Sequence, residues 1–180
     1  LAAGCTMVLK PSSETPLDAF KFAELIAEVG LPAGVFNLVT GPGRVVGEAI
    51  ATHKDVDMLS ITGSTEAGIR VAELAAPTVK RVTQELGGKS ASVVLDGADL
   101  ESAVGAAVIG LSINTGQTCA ALTRLIVPRK SQDAVVAIAQ GAAATVVVGG
   151  AFDEGVGMGP MVSKSQQATV RKYIQQGIDE

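Results

Sequence analysis

One thiol has a setting suited to chemistry. Cys119 closes the run Asn114-Thr-Gly-Gln-Thr-Cys119, where a glycine interrupts the end of an apolar stretch. A cysteine acts as a nucleophile when its pKa is lowered or a base lies close by. The competing reading is a small buried hydrophobe, the usual role of a free cysteine. Cys5, inside Ala2-Ala-Gly-Cys-Thr-Met-Val-Leu9, is read as core packing. Glu85, in Gln84-Glu-Leu-Gly-Gly-Lys89, is a carboxylate beside a Gly-Gly turn. Burial would raise its pKa toward that of a general base, whereas pairing with Lys89 would make it a surface carboxylate. Lys10 ends an apolar stretch and can donate to ribose hydroxyls, or simply be a solvated strand end. Gly41-Pro-Gly43-Arg-Val-Val-Gly47 and Thr62-Gly63-Ser64-Thr65-Glu66 each join an apolar run to a helical pattern. Amides at such junctions suit a phosphate, although the first run is not GxGxxG and both also read as plain turns or caps. Ser60, His53 and Asp55 can be written as a triad, but the elbow that would expose the serine is missing.

The elements that must hold these groups alternate. The sequence predicts strands at 6–10, 35–40, 58–62, 80–84, 90–95, 122–128 and 143–148. Helices are predicted from Pro16 to Val29, over 45–51, to Ala75, over 100–114 with Asp99 as cap, over 131–139, and from a Ser163/Gln166 capping box to Ile178. Strand and helix in turn argue for an α/β fold with a mostly parallel sheet, whose ligands sit at the carboxyl ends of strands. A boundary falls at Gly87-Gly88.

Composition narrows the classes. Among 180 residues, 47% are apolar, 3% aromatic and 18% charged, with a net charge of −4. A chain this apolar is not disordered, and without a basic face nucleic acid is not expected as a partner. Two distant cysteines and one histidine offer neither a disulfide framework nor a metal-ligand set, so no metal is expected. The uncharged stretches 102–123 and 134–152 are Ala-rich and interrupted, and read as buried elements rather than membrane spans. No targeting segment is evident, and a cytoplasmic location is expected. The start at Leu1 suggests a slice of a longer chain.

Four motifs stand in order: LKPSSETP at 9–16, ITGSTEAG at 61–68, ELGGKS at 85–90 and NTGQTCAA at 114–121. With GLPAGVFNLVTG at 30–41 and GPMVS at 159–163, they make the whole chain resemble the aldehyde dehydrogenase superfamily. The resemblance implies a Rossmann-like sheet with flanking helices over residues 1–86, the second half of an NAD(P)-binding domain. Residues 87–180 would begin a second α/β domain carrying the catalytic cysteine. It implies that Cys119 attacks an aldehyde, that its amide and an asparagine hold the oxyanion, and that Glu85 activates water against the thioester. By the same resemblance Lys10 and Ser13 would meet the adenosine ribose, Gly43 and Gly47 the adenine side, and Gly63 and Ser64 the pyrophosphate. Ile61 and Ala67 would line the cofactor, with Leu86 and Gly87 near the nicotinamide. Many relatives have glutamate where Ser13 stands, so either NAD or NADP is expected; Ile61 stands where phenylalanine is usual. The oxyanion asparagine, a ribose-binding glutamate and an oligomerisation strand would lie outside these residues. The expected whole is a homo-oligomeric, dimeric or tetrameric, oxidoreductase for a small-molecule aldehyde. The isolated chain is expected to be inactive and prone to aggregate. A non-catalytic nucleotide-binding or partner-packing module and a cysteine hydrolase are the alternatives.

Overall fold

A computed structural model describes residues 1–180, which divide into two compact units, Leu1–Leu86 and Gly87–Glu180. The first is two strand–helix–strand crossovers in succession. Strand β1 (Met7–Leu9) pairs in parallel with β2 (Phe36–Leu38), Met7 opposite Phe36 and Leu9 opposite Leu38. Helix α1 (Leu17–Val29) makes the crossover; it begins after Pro16 and stops at Gly30, whose φ of 78° is left-handed and natural only for glycine. After β2 the chain makes a π-type turn over Gly43–Gly47, then helix α2 (Glu48–Thr52).

The second crossover joins β3 (Met58–Gly63) to β4 (Arg81–Leu86) through α3 (Thr65–Ala75). Six residue pairs hold this parallel ladder, from Met58 opposite Arg81 to Gly63 opposite Leu86. Ser64 caps α3 by accepting from the Ala67 amide at 3.1 Å. Ala51, Leu59 and Ala75 form the core, with Ile50, Val56, Val71, Leu74 and Val82 packed around them. Small residues let α3 lie close to β4. A Cβ on Gly68 would fall 2.6 Å from Gln84 Oε1 and 2.7 Å from Leu86 Cδ2.

In the second unit, β5 (Ala91–Val93) pairs in parallel with β6 (Arg124–Ile126). Helix α4 (Leu100–Ser112) connects them, capped by Asp99 on the Ser102 amide. Helix α5 (Gln132–Ala144) packs on α4, with Val104 and Val135 buried. Helix α6 (Lys164–Asp179) has no buried residue.

The α/β class and the parallel pairing are as expected, with two two-stranded ladders in place of a continuous sheet over residues 1–86 and a third ladder in the second unit. Two expectations are corrected. The segment 143–148 is not a strand: α5 runs through Ala144, and only Val148 makes a bridge, to Met158. Cys5 is exposed rather than packed in a core. No helix is long and apolar enough to cross a membrane, and no cluster of three or more metal-ligating side chains occurs.

Candidate active site

The first unit contains a cleft of about 710 Å³, within the size range of small-ligand sites. It opens where the two crossovers turn from strand to helix. Lys10, Gly43, Gly47, Ile61, Ser64 and Ala67 line it. Lys10 follows β1, Gly43 and Gly47 bound the π turn, and Ser64 with Ala67 begins α3. A Cβ on Gly43 or Gly47 would meet nothing within 4 Å, so these glycines leave the wall open to a ligand. Gly41 is glycine for another reason: at φ 143° its Cβ would fall 2.6 Å from Val46 Cγ2. Ser64 Oγ takes up the Ala67 amide, and the first helical bond runs from the Gly68 amide to the Ser64 carbonyl. These bonds use the Ala67 and Gly68 amides, which leaves those of Thr65 and Glu66 at the positive end of the helix dipole, beside the cleft that Ser64, Glu66 and Ala67 line. Open glycines, a half-buried lysine and a helix start fit a dinucleotide such as NAD or NADP.

Lys10 Nζ donates to the Pro11 carbonyl and, at 3.3 Å, to the Gly41 carbonyl. Ser13 Oγ lies 3.5 Å from that same carbonyl, next to the cleft rather than in its wall. Gly63 ends β3, and Leu86 is half-buried against the Gly68 site; neither lines the cleft. Gly87 is exposed and opens the second unit.

Glu85 lies on β4 opposite Thr62, exposed and in none of the ion pairs. Lys89 Nζ donates to the Gly88 carbonyl. Cys119 is exposed on a turn closed by the Ala121 amide on the Thr118 carbonyl. Buried Ala121 anchors this turn, and the Cys119 N–H donates to no group of the chain.

A model of the aldehyde dehydrogenase family matches residues 1–180. The chain belongs to the aldehyde dehydrogenase family. It is 49% identical over its whole length to a 3-succinoylsemialdehyde-pyridine dehydrogenase of a Pseudomonas species, covering 38% of that protein. It is 48% identical to a betaine aldehyde dehydrogenase of Sinorhizobium fredii over 98% of its length, covering 36% of that protein. Among solved structures, a cysteine-to-alanine mutant of aldehyde dehydrogenase C from Pseudomonas syringae, with NAD+ and octanal, superposes with a TM-score of 0.96. That pair is 52% identical over 98% of this chain and 36% of the other. An NAD+ complex of the Bacillus cereus enzyme gives 0.95 at 44% identity, over 99% of this chain and 36% of the other. The chain thus spans little more than a third of the aldehyde dehydrogenases it matches.

Sequence reasoning missed part of this aldehyde dehydrogenase cleft. Arg44, Glu48 and Arg70 also line it. Arg70 grips Glu48 in a two-point fork, Nε to Oε1 at 3.1 Å and Nη2 to Oε2 at 2.9 Å. That hydrogen bond from Arg70 holds the Glu48 carboxyl below its ordinary value, and Glu48 in turn raises Arg70. The fork ties α2 to α3. Residues 22 positions apart leave no periodic signal, so only the fold brings them together.

Proposed function

We propose that the chain carries the cofactor cleft and the thiol of an NAD(P)-dependent oxidation of an aldehyde to a carboxylate. The observation that carries the reading is the cleft itself, which gathers Lys10, Gly43, Gly47, Ile61, Ser64 and Ala67 into one wall. Residues 1–86 are then the cofactor-binding part and residues 87–180 the start of the catalytic part. Lys10 supplies donors for the adenosine ribose. The α3 start faces the pyrophosphate through Ser64, with Gly63 behind it at the end of β3. Leu86 and Gly87 lie toward the nicotinamide.

In the second unit, the Cys119 thiolate attacks the aldehyde carbon, forming a C–S bond and an oxyanion. The free Cys119 N–H donates to that oxygen. An oxidised nicotinamide held in the cleft would accept hydride from that carbon, and the chain's part is to keep the thioester formed there on Cys119. Glu85 takes a proton from water, hydroxide adds to the thioester, and the C–S bond breaks to release carboxylate and thiol. Exposure of Cys119 leaves the thiol open to substrate.

Kinetics of the enzyme at its natural length test the reading. Cys119→Ala should abolish formation of reduced cofactor. Glu85→Gln should retain a first burst of reduced cofactor while turnover falls by about a hundredfold or more. Full activity of Cys119→Ala would overturn the assignment of the nucleophile.

A further inference from the structure

The turn that leads into the Cys119 turn is strained. Helix α4 is followed by a 3₁₀ turn over Ile113–Gly116, in which Asn114 has φ 52° and Thr115 φ 59°; Gly116 follows at 72°. Three successive left-handed residues are uncommon, and a β-branched threonine is among the residues least suited to that region. Such a conformation persists only where surrounding bonds over-determine it.

Those bonds converge on two side chains. Gln117 Nε2 donates to the Asn114 carbonyl at 3.0 Å, and Asn114 Nδ2 returns a bond to the Gln117 carbonyl at 3.1 Å. The other end of the same amide leaves the turn: Gln117 Oε1 accepts from the Val162 N–H at 3.0 Å. Thr115 Oγ1 donates to the Gly159 carbonyl at 3.0 Å. Both side chains, half-buried on either side of Gly116, thus reach one segment, Gly159–Val162. That segment is itself tethered. At one end the Met158 amide bonds the Val147 carbonyl at 3.0 Å, and at the other Ser163 caps α6 on the Gln166 amide.

We propose that Gln117 and Thr115 are positioning residues, which brace the strained turn just before Cys119 against the Gly159–Val162 strap and so fix the direction of Cys119 Sγ and its N–H. The inference rests on Cys119 being the nucleophile. A small error in the angle of attack is expensive in rate, because attack and oxyanion binding need one fixed geometry.

The test uses the enzyme at its natural length, with alkylation of Cys119 followed on its own peptide by mass spectrometry. Gln117→Met keeps the length of the side chain and removes both of its bonds; Thr115→Val keeps the β-branch and removes the hydroxyl that reaches the Gly159 and Pro160 carbonyls. Iodoacetamide alkylation against pH is read beside kcat and KM. Each variant should lower kcat by about tenfold to a hundredfold, leave cofactor KM within about twofold, and shift the alkylation–pH profile. Gln117→Glu, which retains the acceptor for Val162, should recover part of the loss. An unchanged alkylation profile and kcat in a folded variant, or a lower melting temperature alone, would overturn the proposal. If Gln117→Met does not fold, Thr115→Val decides by the same criteria. Loss of the nucleophile assignment is a separate outcome, read from Cys119→Ala.

Discussion

At the scale of single residues, Ser13 and the Glu48–Arg70 fork each have a measurable consequence. On the proposed placement of Ser13 at the adenosine ribose, its hydroxyl, 3.5 Å from the Gly41 carbonyl, brings no negative charge against a 2′-phosphate. The enzyme should therefore accept both NAD+ and NADP+. Ser13→Glu should raise KM for NADP+ by about tenfold or more, with NAD+ little changed, as read from paired cofactor titrations. For Glu48, the folded carboxyl titrates below its ordinary value because Arg70 bonds to it. Its contribution to stability is therefore fully present above that ordinary value of about 4.5 and is lost as pH falls through the lower folded value. Arg70→Ala should melt below the parent at neutral pH, and the gap should close as the pH is taken down through this range. Melting curves across pH check this, and a gap independent of pH would dissociate the fork from stability.

At the scale of elements, the approach of α3 to β4 sets the cleft wall. Gly68→Ala would press a methyl against Gln84 and Leu86, both nearer than 3.0 Å. The Gln84 contact is a mobile side chain, but Leu86 is held on β4, so α3 must shift. A cost of about 1–3 kcal/mol in denaturant unfolding is expected, with weaker cofactor binding. The crossovers around this wall were legible in the sequence because each has its own punctuation. Pro16 and Gly30 bound α1, Ser64 caps α3, and Asp99 caps α4. Where punctuation is missing, reading failed. Ala142-Ala-Ala144 has no stop before the β-branched Thr145-Val-Val-Val148, so α5 runs on to Ala144 against a β-like composition. The Gly41–Gly47 run was legible as a turn but not as a π turn, since the close contact of Gly41 with Val46 depends on backbone angles that residue types do not encode. Among site residues, those next to glycine turns could be found locally. The Glu48–Arg70 fork and the bonds of Thr115 and Gln117 to residues 159–162 span distances that carry no periodic signal.

At the scale of the molecule, the surface is large. The 180 residues expose 12,736 Å², whereas two independent domains of half this length would together expose about 9,700 Å². Large apolar side chains are among what is exposed: Leu17, Val29, Leu95, Tyr173 and Ile178 are all more than two-thirds exposed, and Phe152 is fully so. Expressed as these 180 residues alone, the chain should self-associate, which light scattering and gel filtration would register. A monodisperse monomer would contradict this. The ladders add a kinetic dimension. All three are parallel and none is a hairpin, so Met7 must find Phe36, Met58 Arg81 and Ala91 Arg124 across an intervening helix. Each search closes a long loop before any ladder bond forms, which slows folding. Yet the pairs do not interleave: each ladder is complete before the next begins. As the chain emerges from the ribosome, every strand already has its partner behind it or next in line. Ladder formation can then keep pace with synthesis, and an arrest after Leu38 or Leu86 would leave finished ladders rather than an orphaned strand.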